Sequence, residues 1–340
     1  MENSAPIIPV SPHSCQLNSW KKHLKTAITS IDELLKYVDI DRRKIEHLVL
    51  NESDFKLRVP RSYADKMEKG NIHDPLLKQI LPNVLESDFK VGFVKDPLNE
   101  QTSQVPGLLH KYHGRVLLML ASACAVNCRY CFRRHFPYSE HRFDIKAQSQ
   151  VFEYLKKHTS ITEVILSGGD PLMMQDHSIA ELVEELEKIP HLQRLRIHTR
   201  LPVVIASRMT LELAQILAHS RFSTSLVLHI NHANEIDAEL HDQVKIFRTL
   251  GITLLNQSVL LKGVNDSTQV LGELSEKLFA TGILPYYLHL LDPVEGTSHF
   301  DVTQSTATHL IKELTELLPG YLVPKLVKEL AGGKSKTPVY

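Results

Sequence analysis

The chain has 340 residues, and its 39 Lys and Arg balance its 39 Asp and Glu, so the formal charge is zero. That balance excludes proteins whose main business is nonspecific binding to nucleic acid or anionic membrane, which carry a basic excess. An apolar content of 43% excludes disorder over the whole length, and a chain of 340 residues buries a core without disulfide staples.

The N-terminal stretch MENSAPIIPVSPHSCQ has neither a basic leader nor a long apolar run, so no signal peptide is expected and the cytoplasm is the expected location. Residues 1–104 read as a mostly helical extension. Its clearest element is Ser30–Tyr37, where Ser30 followed by Glu33 predicts a capping box. Pro60, Pro75, Pro82, Pro97 and Pro106 interrupt the stretch beyond it, and no strand alternation is expected there. From Arg115 short apolar runs alternate with helical stretches. The expected strands are Val116–Ala121, Glu163–Ser167, Arg194–Thr199, Ser225–Ile230, Thr253–Val259 and Pro285–Leu291. Helices are expected at Ile179–Lys188, Leu211–His219 and Ile236–Leu250, the last closing at Gly251. Strand–helix units of about thirty residues imply right-handed crossovers and a parallel sheet. Polar or glycine-rich residues sit at the end of nearly every strand. Six such ends around one cavity predict a partial (β/α)6 barrel of parallel strands over 105–320. Residues 321–340 remain as a short C-terminal segment. The longest uncharged run, Val116–Val126, is too short for a membrane helix of about 20 residues, and no membrane partner is expected.

Four cysteines occur: Cys15, Cys124, Cys128 and Cys131. Cys15 sits alone in a Pro-rich leader and reads as incidental. The other three form C-x3-C-x2-C after the first strand. Three thiolates in one loop suit an iron–sulfur cluster with one iron left open. The competing reading is zinc in a noncatalytic interaction protein, with His135 or His141 as fourth ligand. After the second strand comes Ser167-Gly168-Gly169-Asp170-Pro171. Its glycines permit close approach of backbone to a ligand. The plain alternative is a tight turn capped by Asp170. His229-x-x-His232 has the look of a metal pair but lacks a third ligand.

The cysteine spacing and the glycine turn together resemble the radical S-adenosylmethionine superfamily, whose open iron chelates the methionyl group of S-adenosylmethionine. Over residues 59–340 the chain resembles the lysine 2,3-aminomutases. The resemblance rests on Cys128–Phe136 (CRYCFRRHF), Asp96-Pro97-Leu98, Val105-Pro106-Gly107-Leu108, Ile230–Ile236 (INHANEI) and Asn256–Asp266 (NQSVLLKGVND). It implies a [4Fe-4S] cluster on Cys124, Cys128 and Cys131, with S-adenosylmethionine near Ser167, Gly168, Gly169, Asp170, His229 and Gln257. It also implies pyridoxal 5′-phosphate held as a Schiff base by Lys336, the lysine that precedes x-Pro-Val, in preference to Lys334. Lys111, Tyr112 and Arg115 match supporting positions for that cofactor. Arg133 matches the contact to the substrate carboxylate. Asp292 and Glu329 match the acidic partners of the lysine ammonium, Glu329 standing where the family places aspartate.

The chain ends four residues after Lys336 and has Ser267 where longer members place a zinc cysteine, so structural zinc and the pairing it supports are not expected. With Trp20-Lys21-Lys22 near the start, these features resemble the bacterial branch that makes (R)-β-lysine from (S)-α-lysine for elongation factor P. The resemblance therefore implies a functional link to that factor and its lysine ligase, and an electron donor such as flavodoxin or ferredoxin. The alternative within the family is a stand-alone aminomutase making free β-lysine.

Overall fold

A computed structural model describes residues 19–51, 53–101, 105–138 and 143–340. Cys15 and His141 lie outside the described residues. Among the described residues, nine strands form one open sheet in chain order: β1 (Leu108–Tyr112), β2 (Arg115–Ala121), β3 (Glu163–Gly168), β4 (Arg194–Thr199), β5 (Ser223–Leu228), β6 (Thr253–Val259), β7 (Leu284–His289), β8 (Lys325–Lys328) and β9 (Thr337–Pro338). β2 through β8 pair in parallel, while β1 and β9 are antiparallel caps at the two edges. The expected six-strand barrel is therefore present as β2–β7 and is wider by three short strands. Those three escape a reading based on apolar runs. β1 (LLHKY) is half polar, β8 (KLVK) has two apolar residues between lysines, and β9 is only two residues long.

Two strand boundaries differ from expectation for a physical reason. β5 stops at Leu228, because the side chain of Asn256 takes over the pairing of Ile230. Asn256 Oδ1 accepts from the Ile230 amide at 3.0 Å, and its Nδ2 donates to the Ile230 carbonyl at 3.1 Å. β7 ends at His289, after which Leu290 donates to the Val327 carbonyl of β8 at 2.9 Å.

The helices return along the outside of the sheet. Ile145–Lys157 buries Ala147, Val151 and Leu155 at i, i+4, i+8 spacing. Asp176–Glu187, Leu211–His219 and Ala238–Thr249 also bury one apolar face. Ala238–Thr249 gives way to Gly251 at φ +79°, as its sequence predicts. Ser30 does stand before the helix Ile31–Tyr37, yet its side chain makes no cap bond. Glu33 turns instead to Arg61. Ser267 caps the helix Thr268–Thr281 through the Val270 amide.

The described residues of 19–101 carry short helices and isolated bridges, Ile28–Val59 and Val49–Asn83 within the segment and Val94–Val294 beyond it. Ile28, Leu34, Tyr63 and Leu77 belong to the same buried apolar cluster as Leu166, Leu201 and Leu228. Polar ties lock this segment onto the ends of β4 and β5. Ser62 donates to the Val204 carbonyl at 2.6 Å, and Lys66 to those of Val203 and Glu235 at 2.9 Å. Among the described residues no helix is long and apolar enough to cross a membrane.

Candidate active site

The carboxyl ends of β2–β8 surround a cavity of about 550 Å³. All sixteen site residues expected from the sequence line it: Cys124, Cys128, Cys131, Ser167, Gly168, Gly169, Asp170, His229, Gln257, Lys111, Tyr112, Arg115, Arg133, Asp292, Glu329 and Lys336. Strand alternation explains much of this. On β4 Arg196 and His198 face the cavity, while Leu195 and Ile197 are buried. On β7 Tyr287 and His289 do likewise.

The cysteine loop leaves β2 and is held from beneath by Arg129, a fully buried residue between Cys128 and Cys131 in the chain. Its Nε donates to Glu86 Oε1 at 2.8 Å, and Nη1 donates to the Phe55 carbonyl at 2.6 Å. Arg134 joins the same carboxylate at 2.7 Å. Burial pushes all three thiols up, Cys131 to about 11. Without a cation they stay protonated; iron would displace the protons. Among the described residues no three His, Cys, Asp or Glu side chains have the spacing of ligands on a single metal ion. Three thiolates are the donor type of an iron–sulfur cluster, and tetrahedral zinc would need a fourth ligand beside them. His135 points elsewhere, with Nε2 3.1 Å from the Glu295 carbonyl. His232 Nδ1 accepts from the Asn234 amide as a cap, so the His229–His232 pair makes no metal site.

The glycine turn also packs against the protein's own backbone. A Cβ on Gly169 would lie 2.5 Å from the Ala123 oxygen, and one on Gly168 2.8 Å from the Ala121 oxygen. The backbone that needs this closeness is the cysteine loop itself. The Gly169 amide donates to Ala121 at 2.7 Å and the Asp170 amide to Ala123 at 3.0 Å. The turn and the loop are thereby one rigid unit. The Asp170 carboxylate is fully engaged by the Leu172, Arg200 and Leu201 amides and the Thr199 hydroxyl, at 2.7–3.0 Å. It acts as a cap joining β3 to β4.

Across the cavity, Lys336 is carried by the segment between β8 and β9. Its Nζ lies 3.1 Å from His289 Nε2, 3.7 Å from Glu329 Oε1 and 5.6 Å from the centre of the Tyr287 ring. Burial lowers its pKa, and Glu329 and Asp292 partly restore it. Burial pushes Asp292 up to about 7, with Glu329 adding to the effect. Burial also works against ionised Glu329, but Lys336, Lys111 and the Tyr112 hydroxyl outweigh it and its pKa falls. Tyr112 donates to Glu329, and Arg115 stacks over the Tyr112 ring at 4.6 Å across the β1–β2 hairpin. Arg133 places Nε and Nη2 on Glu100 Oε2, both at 2.8 Å. Its Nη1 reaches Ser167 Oγ at 3.3 Å.

His198, His229 and His289 are kept neutral by burial, His229 down to about 3. Nε2 of His198, Nε2 of His229 and Oε1 of Gln257 are buried with no hydrogen-bond partner. Such orphaned groups are rare in folded proteins unless a ligand satisfies them, and all three residues line the cavity. Sequence reasoning missed Glu100, Arg196, His198 and His289. Polar residues at alternate positions of the apolar strands β4 and β7 are the signal for the last three.

A 4Fe-4S single cluster domain family matches residues 112–222, a span that includes the three loop cysteines. An L-lysine 2,3-aminomutase of Escherichia coli is 50% identical over 94% of this chain and 94% of that protein. The L-lysine 2,3-aminomutase of Clostridium subterminale is 34% identical over 95% of this chain and 78% of that protein. A radical SAM methyltransferase structure from Sphaerobacter thermophilus superposes with a TM-score of 0.46 at 15% identity, over 66% of this chain and 69% of the other. With the cysteine loop, the glycine turn and Lys336 converging on one cavity, and with half of all residues shared across nearly the full length of one such relative, the chain belongs to the lysine 2,3-aminomutase family.

Proposed function

We propose that the cavity carries out the 2,3-migration of the amino group of lysine, yielding (R)-β-lysine for attachment to elongation factor P. The observation that carries this reading is the meeting of three part-buried cysteines and Lys336 in the lining of one 550 Å³ cavity. The bound cluster with S-adenosylmethionine supplies a carbon radical able to take an unactivated hydrogen, and pyridoxal phosphate supplies the aldehyde that carries the nitrogen. Everything else falls to the chain. Cys124, Cys128 and Cys131 would hold the cluster, their three thiolates lying on the cavity lining. The Ser167–Gly169 turn, His229 and Gln257 bound the S-adenosylmethionine side, where the orphaned His229 Nε2 and Gln257 Oε1 take its polar groups. Lys336 holds pyridoxal phosphate, with Lys111, Tyr112 and Arg115 around it.

Charge selects the substrate. Arg133 offers a guanidinium fork for the α-carboxylate. Asp292 and Glu329, at the Lys336 end, receive the ε-ammonium. An arriving ammonium favours the ionised form of Asp292, which stands near half-protonation at about pH 7. Glutamate would place a third carboxylate beside these two, so lysine is the favoured substrate.

The link to elongation factor P is supported by the motif resemblance and by the higher identity to the shorter of the two aminomutases. The reaction takes place in the cytoplasm, with reducing electrons from a flavodoxin or ferredoxin. Anaerobic incubation with lysine, S-adenosylmethionine, pyridoxal phosphate and reductant tests the chemistry; β-lysine is the expected product, and its absence from a fully reconstituted chain overturns the reading. The mass of elongation factor P from a strain lacking this chain tests the destination. The factor should lose the β-lysyl increment, and an unchanged mass would leave the stand-alone aminomutase.

A further inference from the structure

The proposed chemistry has no use for Asp96-Pro97-Leu98, yet in the fold this motif builds a turn. The Asp96 carboxylate accepts from the Glu100 amide at 3.0 Å and the Gln101 amide at 3.1 Å, and Leu98 is buried. The product of that turn is the placement of Glu100, which is 6% exposed and lines the cavity. One Glu100 oxygen takes both Nε and Nη2 of Arg133, and the other takes Lys111 Nζ at 3.2 Å. Arg133 and Lys111 come from separate segments, and this carboxylate is the group that joins them.

We propose that Glu100 is a specificity-determining residue, a resident carboxylate seated on the Arg133 guanidinium and tied through its other oxygen to Lys111 on the cofactor side. The inference rests on the reading of Arg133 as the contact for the substrate carboxylate. A buried guanidinium beside a part-buried ammonium is costly without a counter-charge, so an internal carboxylate keeps the empty cavity folded. The same carboxylate sets a threshold for ligands. A simple anion has to displace Glu100 with nothing else to offer. Lysine brings a carboxylate and, at the far wall, an ammonium for Asp292 and Glu329. Only the doubly anchored zwitterion then outcompetes the resident group. Removing the charge of Glu100 eliminates the competitor and raises the positive potential at the receptor; both effects act in the same direction.

The test is isothermal titration calorimetry on the anaerobically reconstituted full chain, with butyrate, L-lysine and L-lysinamide as probes. Glu100→Gln should bind butyrate at least about tenfold more tightly than the wild type, the factor that one charge-assisted hydrogen bond is worth. Lysinamide, which has no carboxylate, should change by less than about twofold. Glu100→Asp keeps the charge and should keep butyrate out. Glu100→Ala carries the same expectation as Glu100→Gln, so either folded variant suffices, folding being checked by thermal melt and iron content. Butyrate bound no better by the variants than by the wild type overturns the proposal, as does an equal change for butyrate and lysinamide. Failure of the underlying reading looks different: the wild type would then bind lysine and lysinamide equally.

Discussion

The closeness of the glycine turn to the cysteine loop makes Gly169→Ala a sharp perturbation. Gly169 has no positive φ, so alanine is conformationally allowed there, and the whole effect is steric. The added Cβ would meet the Ala123 oxygen at 2.5 Å, about 0.9 Å inside the 3.4 Å limit of ordinary contact. The Ala123 carbonyl carbon and nitrogen stand at 2.8 Å. These are backbone atoms, so no rotamer change relieves the clash, and the residue before Cys124 has to move. Overpacking of this kind costs about 1–3 kcal/mol. Weakening the two amide bonds that join turn and loop adds about 1 kcal/mol each if both are lost. The expectation is a loss of about 3–5 kcal/mol in guanidinium unfolding of the cluster-free chain if both bonds are lost. Iron retained per chain after anaerobic reconstitution should also fall below half of the wild-type value. Gly320→Ala is the control, because its Cβ meets nothing within 4 Å, and it should stay within about 0.5 kcal/mol. If Gly169→Ala matches that control in both stability and iron content, the turn and loop are not one unit and the reasoning fails.

Lys336→Ala should abolish the borohydride-stable adduct with pyridoxal phosphate and leave iron content unchanged, whereas Lys334→Ala should keep the adduct, since Lys334 is exposed; mass spectrometry of the reduced protein decides between them. Glu86→Gln should cost about 3–5 kcal/mol, because it strips the counter-charge from buried Arg129 and part-buried Arg134; a loss below about 1 kcal/mol in denaturant unfolding would refute the anchoring role. Asp292, held at about 7 when the site is empty, should lose protons when an ammonium arrives, so lysine binding near pH 7 should release protons and Asp292→Asn should abolish that release. Calorimetry in buffers of different ionisation enthalpy measures it, and proton uptake would contradict the assignment. In the lysine-free chain the raised folded-state pKa sets the sign. Protonated Asp292 stabilises the fold at low pH, and that contribution is lost as pH rises from about 4 to about 7.

The barrel core was legible because β2–β7 are short apolar runs of one repeating length, and each ends in residues that no buried strand would choose for packing alone. Lys336 was identifiable only through its Pro-Val context, since a lysine in a terminal segment ordinarily reads as solvated. Glu100 was invisible for a different reason. Its partners Arg133 and Lys111 are distant in sequence, and only the turn set by Asp96 brings the three together. The glycines have a second neighbour that the sequence does not show, because the contact between β3's turn and β2's loop is a tertiary fact. His198 and His289 were missed because a single polar residue in a strand looks like an interruption until the sheet's parity is known.

The central claim is that the three loop cysteines hold an iron–sulfur cluster with an open iron facing the Lys336 cavity. Iron and sulfide analysis of the anaerobically purified chain, joined to electron paramagnetic resonance of the reduced protein with and without S-adenosylmethionine, tests it most directly. The account predicts a [4Fe-4S] stoichiometry, lost in Cys128→Ser, and a spectrum that changes when S-adenosylmethionine is added. Zinc without iron, or a cluster whose spectrum is indifferent to S-adenosylmethionine, would contradict it.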